Sequence, residues 1–153
     1  QDAAYPGSFD PITNGHVNIV ERVGDRFDKI YVIVMNNPQK KYLFSLSERV
    51  EMVKRDFEHM QNVVVDVYDG LLVDYLKNHR IYNLIRGLRA VSDFEYELQM
   101  AHANKSLLPQ LMADTKYSFI SSSMIKEIAQ YGGDVSKWVS KFVEDRLKEK
   151  LLK

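Results

Sequence analysis

The chain has 153 residues, 45% hydrophobic and 27% charged, which predicts one globular domain over residues 1–153 with its own core. Its 21 lysines and arginines balance 21 aspartates and glutamates, so no overall charge attracts nucleic acid or an anionic membrane surface. Because cysteine is absent, disulfides, thiolate metal clusters and cysteine nucleophiles are excluded, and a cytoplasmic location is expected.

The first half of the chain alternates helix and strand patterns. Apolar residues recur at helical spacing from Val17 to Phe27, and the β-branched run 30–35 predicts a buried strand. This run is far shorter than the roughly 20 residues of a membrane helix, so no membrane partner is expected. Ser45 and Glu48 have capping-box spacing before a second apolar stripe, and residues 63–67 then predict another strand.

The second half continues the alternation. Residues 71–79 predict a short helix, 82–85 a short strand, and 92–107 a helix that opens with a second capping box. Residues 121–131 predict a helix closed by two glycines, and 139–151 a final amphipathic helix. The whole pattern predicts an α/β fold, a Rossmann-like doubly wound parallel sheet in which ligands gather at the carboxyl ends of the strands.

The segment 5–16, YPGSFDPITNGH, places two glycines, short hydroxyls and an imidazole directly ahead of the first helix. A helix start presents unpaired N–H groups and the positive end of the helix dipole, which suits a polyphosphate. Gly15 and His16 therefore predict a phosphate site. The alternative is an ordinary capping turn in which His16 is exposed to solvent.

Three later segments also suit anions. Lys40 lies in the loop 36–44 after the predicted strand, and Arg86 and Arg89 form a possible donor fork after an apolar strand. The run 117–123 ends in three serines at a helix start, more hydroxyls than one cap needs. The alternatives are that Lys40 lies in an ordinary solvated loop and that the serines only cap the helix. No P-loop, G-x-G-x-x-G or H-E-x-x-H motif is present, and the remaining histidines lack metal-ligand spacing, so no protein metal site is expected.

These residues resemble bacterial phosphopantetheine adenylyltransferases, members of the nucleotidylyltransferase superfamily with its T/H-x-G-H motif. The opening segment is similar to the superfamily motif, whereas 85–97, IRGLRAVSDFEYE, and 117–123, YSFISSS, resemble this family rather than its relatives. The resemblance implies transfer of the adenylyl group of ATP to 4′-phosphopantetheine, giving dephospho-coenzyme A and pyrophosphate in coenzyme A synthesis. It also implies Mg²⁺ and a homohexamer.

The resemblance implies roles for individual positions. His16, Lys40 and Arg89 are expected to be catalytic. The expected ATP-binding residues are Ser8, Phe9, His16, Gly87, Leu88, Arg89, Glu97, Tyr117, Ser118, Phe119, Ile120, Ser121, Ser122 and Ser123. The residues expected to bind phosphopantetheine are Ser8, Lys40, Leu72 and Arg86.

The chemistry implied needs no general base, because the second ionisation of a phosphate monoester lies near neutrality, at about 6 in phosphoserine. Catalysis then consists of aligning that phosphate with the α-phosphorus for direct in-line attack without a covalent intermediate, and of stabilising charge on the transferring group. We expect His16 to donate a hydrogen bond in the transition state.

Two features depart from the family pattern. Residues 1–4, QDAA, stand where family members have an apolar run for the first strand, although a central parallel strand is expected to be hydrophobic. Between Leu111 and Met112 the family usually has a further apolar strand segment, which this sequence lacks. These departures leave a non-catalytic nucleotide-binding module as one alternative. Among enzymes, the alternative is a related nucleotidylyltransferase with another phosphate-ester acceptor.

Overall fold

The computed structural model describes residues 1–88, 110–112 and 121–152. Over these ranges a four-stranded parallel sheet has the order β3-β2-β1-β4. Its strands are β1 (Asp2–Gly7), β2 (Lys29–Met35), β3 (Val63–Tyr68) and β4 (Asn83–Leu84). Two further short strands, β5 (Arg86–Leu88) and β6 (Gln110–Met112), pair in parallel as a separate ladder.

Helices connect and cover the strands, which confirms the predicted Rossmann-like α/β fold. They are α1 (Asn14–Val23), α2 (Leu46–Asp56), α3 (Leu72–Asn78), α4 (Ser122–Gln130) and α5 (Lys141–Leu151). None of these helices, in the ranges that the structure describes, has the length and apolarity that crossing a bilayer requires.

Each face of the sheet carries its own core, because side chains along a strand point alternately to opposite faces. Ala3 and Tyr5 of β1 belong to the larger cluster, which α1, α2, α4 and α5 complete. Ala4, between them, belongs to a smaller cluster with Ile33 and Tyr75, and α3 covers that face. The sheet is therefore buried on both sides, as parallel sheets generally are.

The first strand forms although its opening residues are not a hydrophobic run. Ala3 and Ala4 are fully buried, and β1 pairs with β2 on one side and β4 on the other. Small side chains on both faces are sufficient here because the large hydrophobic groups come from the neighbouring strands and helices.

Most predicted elements occur, with shifts at their ends. The first helix ends at Val23, since Gly24–Arg26 tighten into a 3-10 turn. The predicted strand 82–85 is shortened to β4: Ile85 still donates its N–H to the carbonyl of Ala4 in β1, and residues 86–88 then pair with β6 as β5. Arg86 directly follows the β4 segment, as predicted, and itself begins the short strand β5.

Helix starts and stops follow local chemistry. The predicted capping box of Ser45 and Glu48 is confirmed at α2. Ser121 and Ser140 cap α4 and α5 through their hydroxyl oxygens. Gly132, at φ +78°, ends α4 in the left-handed conformation that favours glycine. The helix predicted at 92–107 lies outside the described residues.

Candidate functional site

A cavity of about 370 Å³ lies where β1 ends and where α1 and α4 begin. The described residues around it come from the end of β1 and the turn after it, from α1, from the loop after β2, from β5 and from the start of α4. The lining residues that carry polar or charged groups are Ser8, Asp10, Thr13, His16, Lys40, Arg86, Ser121, Ser122, Ser123 and Lys126.

The charges in this cavity favour anions. Lys40, Arg86 and Lys126 contribute positive charge, and Asp10 contributes a carboxylate. The ammonium of Lys126 lies 3.1 Å from Oδ2 of Asp10, so those two charges compensate each other. The starts of α1 and α4 add backbone N–H groups and the positive ends of two helix dipoles. The arrangement suits a ligand with several negative groups.

His16 is the third residue of α1 and takes part in its cap. Thr13 donates its backbone N–H to Nδ1 of His16 at 3.0 Å, and the Thr13 hydroxyl accepts from the His16 N–H at 3.3 Å. Because Nδ1 accepts, a neutral His16 ring carries its proton on Nε2. The cap thus fixes both the orientation and the tautomer of an imidazole that lines the cavity.

Aromatic neighbours hold the His16 ring in place. The ring of Phe9 meets it edge-on with centroids 5.0 Å apart, and Tyr5 lies at 6.3 Å. Phe9 is buried and has φ +51°, an uncommon conformation for a side chain of this size. Strain of this kind persists where surrounding structure fixes it, and it is frequent beside functional sites.

The serine-rich turn divides its hydroxyls between structure and cavity. Ser121 accepts from the N–H of Met124 as the helix cap, at 3.1 Å. Ser122 donates to the carbonyl of Pro11 at 2.9 Å, which ties α4 to the turn after β1. Ser123 lines the cavity, and no described residue bonds its hydroxyl. Two of the three hydroxyls therefore shape the site, and the third is available to a ligand.

Gly87 allows β5 to approach α1. A Cβ at this position would lie 2.4 Å from Cδ1 of Ile19, a buried residue that also lines the cavity. A side chain at position 87 would therefore displace the wall of the site. This close approach is a physical reason for glycine between two residues of a strand.

The structure brings most described candidates together. Ser8, Phe9, His16, Lys40, Arg86, Gly87, Ser121, Ser122 and Ser123 all line the cavity. Leu72 does not; it packs on the opposite face of the sheet, against the cluster around Tyr75. Leu88 is described in its backbone, as the end of β5. Arg89, Glu97, Tyr117, Ser118, Phe119 and Ile120 lie outside the described residues.

Thr13, Asp10 and Lys126 also line the cavity, although they are not among the site residues predicted from the sequence. Thr13 and His16 have the spacing of a capping box with histidine in the third position, so the signal was present. Lys126 stands four residues after Ser122, and such residues share a helix face. Asp10 offers no comparable signal, because its partners, the N–H groups of Leu43 and Phe44, are more than thirty residues away.

Magnesium can be tested against these residues. Mg²⁺ prefers carboxylate, water and phosphate oxygens, often with several ligands from the substrate. The described residues contain no cluster of three or more acidic or imidazole groups that could hold a metal ion. Asp10 of the cavity is engaged by two backbone N–H groups and Lys126. The described part of the chain therefore does not form a magnesium site by itself.

Comparisons with known proteins agree with this geometry. The family model for cytidylyltransferase-like proteins matches residues 4–128. A phosphopantetheine adenylyltransferase from Petrotoga mobilis is 73% identical, with 100% of this chain and 98% of the relative covered. One from Thermotoga neapolitana is 53% identical, with 97% of this chain and 96% of the relative covered.

A solved structure shares the fold at low sequence identity. It is assigned as a nicotinate-nucleotide adenylyltransferase of Vibrio parahaemolyticus and has 15% identity and a TM-score of 0.65, covering 95% of this chain and 97% of that one. The Petrotoga alignment spans 158 positions against the 153 residues of this chain, so that relative has at least five positions without a counterpart here.

Proposed function

Because the chain belongs to the phosphopantetheine adenylyltransferases within the cytidylyltransferase-like family, we propose that it transfers the adenylyl group of ATP to 4′-phosphopantetheine. The products are dephospho-coenzyme A and pyrophosphate, and the reaction belongs to coenzyme A synthesis. One observation carries the proposal: the turn with Ser8, the loop with Lys40, strand β5 with Arg86 and the start of α4 all line one cavity.

The two substrates are assigned to different residues of the cavity. Lys40 and Arg86 hold the phosphate of the acceptor, since each contributes a cation to the cavity lining. The start of α4 and Ser123 bind the phosphates of ATP, together with Arg89 and the other ATP-side residues assigned by the resemblance. Leu72, across the sheet, serves the pantetheine arm.

The reaction itself is an in-line displacement at the α-phosphorus. A phosphate oxygen of the acceptor forms the new bond to phosphorus while the bond to the β-phosphate oxygen breaks and pyrophosphate leaves. The Nε2–H of His16 donates to the transferring group, where negative charge increases in the transition state. Lys40 and Arg89 complete this stabilisation. No residue needs to remove a proton, because the acceptor phosphate is largely dianionic at neutral pH.

The cofactor, assembly and location follow from the same proposal. Mg²⁺ arrives with the phosphates of ATP, and we assign it no ligand from this chain. A homohexamer is part of the same proposal, on the strength of the family resemblance alone. Sedimentation would then give about six times the 17.8 kDa of one chain, and a stable monomer would contradict it. The location is cytoplasmic.

The test is a panel of acceptors. The protein is incubated with ATP, Mg²⁺ and, in separate reactions, 4′-phosphopantetheine, nicotinate mononucleotide and glycerol phosphate, and pyrophosphate release is measured. We expect release with 4′-phosphopantetheine at a kcat/KM at least 100-fold above the other acceptors. Preference for another acceptor would indicate a related nucleotidylyltransferase. ATP binding without release from any acceptor would indicate a non-catalytic module.

A further inference from the structure

A buried arginine bonds to several segments around the cavity, but the arginine does not itself line the cavity. Arg49, in the first turns of α2, is 1% exposed. A guanidinium in that position costs several kcal/mol unless its N–H groups are satisfied. Its surroundings must therefore supply hydrogen-bond acceptors for its N–H groups. The positions of these acceptors show which segments of the chain Arg49 connects.

The acceptors come from three separate parts of the chain. Nη1 donates to the carbonyls of Ser8 at 2.9 Å and Met35 at 3.1 Å. Nη2 donates to the side chain of Asn36 at 2.6 Å, and Nε donates to the carbonyl of Phe44 at 3.2 Å. None of these four acceptors is a carboxylate. Arg49 therefore acts as a rigid fork between backbone segments, a geometry that the single ammonium of lysine cannot reproduce.

The loop that carries Lys40 is fixed at both ends by this fork. Asn36 opens the loop and Phe44 closes it, and both bond to Arg49. Tyr42 stacks on the guanidinium with its ring centroid 3.8 Å away, and its hydroxyl accepts from the N–H of Asn37 at 2.9 Å. Residues 37–41, between these anchors, are exposed, and Lys40 is among them.

Asp10 completes the connection from the opposite side. Its two carboxylate oxygens accept from the N–H groups of Leu43 and Phe44 at 2.8 and 2.9 Å. The end of the loop is thus held by its amides through Asp10 and by its carbonyl through Arg49. Since Asp10 and Ser8 belong to the same turn, the distance between that turn and the Lys40 loop is set by these two side chains.

We propose that Arg49 is a positioning residue for adenylyl transfer, which holds the Lys40 loop against the Ser8 turn so that the acceptor phosphate faces the α-phosphorus. This inference rests on the proposed function. Arg49 itself touches no substrate, because it does not line the cavity. A misplacement of about 1 Å in such a site can cost about 100-fold in rate. The acceptor side is more sensitive than the ATP side, because Arg49 holds both ends of the Lys40 loop.

The test compares Arg49→Lys with Arg55→Lys, a matched control on the same helix. Arg55 also stacks on an aromatic ring, that of Phe142 at 4.6 Å, but outside the cavity. Initial rates are measured against each substrate separately. For Arg49→Lys we expect the KM for the phosphopantetheine acceptor to rise about tenfold and kcat to fall about tenfold, with the KM for ATP within twofold of wild type. Arg55→Lys should change none of the three.

A purely structural role gives a different result, since loss of folded protein lowers kcat in proportion and leaves both KM values unchanged. That outcome, or an equal rise in both KM values, would overturn the inference. If Arg49→Lys does not fold, Asn36→Ala replaces it and should raise the acceptor KM at least threefold; a change below twofold would also overturn the inference. A wild-type protein that releases no pyrophosphate would reject the proposed function, and the positioning role with it.

Discussion

Replacing His16 can separate two roles, because Nδ1 serves the helix cap whereas the proposed function assigns Nε2 to the transferring group. His16→Gln keeps the cap: glutamine is a usual third residue of a capping box, and its side-chain oxygen can accept from the Thr13 N–H as Nδ1 does now. It removes the fixed N–H at the position of Nε2. Stability and turnover should therefore respond differently to this one substitution.

The expected sizes differ enough to be measured. Loss of one donor to a transition-state oxyanion typically costs about 3–4 kcal/mol, or about 10²–10³ in kcat. Loss of a helix cap costs about 1 kcal/mol in stability. We therefore expect His16→Gln to unfold within about 0.5 kcal/mol of wild type while kcat falls by at least about 100-fold. Thr13→Ala should show the reverse, about 1 kcal/mol of stability lost and a smaller effect on kcat.

The assay combines urea unfolding, pyrophosphate release and ATP binding by calorimetry. The affinity for ATP should change much less than kcat in His16→Gln, because the donor acts on charge that develops in the transition state. Equal losses in ATP affinity and in kcat would refute the transition-state role. Turnover within threefold of wild type would show that Nε2 has no part in the chemistry.

Two further predictions concern stability. Burial raises the pKa of Asp56, at the end of α2, to about 6, and a hydrogen bond with Ser140 opposes this only in part. Since this folded value lies above the unfolded 3.8, protonation stabilises the fold, and the contribution is lost as pH rises through about 6. The free energy of unfolding is measured with urea at pH 7 and at pH 4.5 for wild type and Asp56→Asn. At the lower pH, wild type should gain about 2 kcal/mol relative to the variant. The same difference at both pH values would contradict the raised pKa. Gly87→Ala should lower the free energy of unfolding by about 1–3 kcal/mol, measured by thermal unfolding, because the new Cβ meets Cδ1 of Ile19. Ile19→Val removes that Cδ1 atom. It should therefore be less destabilising in the Gly87→Ala background than in wild type. Independent, additive effects would show that this contact is not the cause.

Local patterns were sufficient for most of the fold. The β-branched run of β2, the alternation of helix and strand, and the capping box of Ser45 and Glu48 are each encoded within a few neighbouring residues. Boundaries were less predictable where tertiary contacts decide them. Leu84 pairs with Ala4 of β1, whereas Arg86, two residues later, pairs with Gln110 of β6, and nothing near Ile85 in the sequence indicates this change of partner.

The candidate site was likewise predictable only in part from the sequence. A parallel sheet brings the carboxyl ends of its strands to one edge, so the sequence could predict that Ser8, Lys40 and Arg86 lie near one another. It could not predict Arg49, because a charged residue on an amphipathic helix is usually exposed. Its burial depends on oxygen acceptors supplied by residues 13 to 41 positions away, besides the nearby Phe44, and only the folded chain brings them together.

A crystal structure with dephospho-coenzyme A bound tests the central claim most directly. The claim is that one cavity between β1, β5 and the start of α4 holds both phosphorylated substrates during the transfer. We predict that the diphosphate of this product lies in that cavity, within hydrogen-bonding distance of His16 and Arg86. A diphosphate bound elsewhere on the protein, with these two side chains out of its reach, would contradict the account.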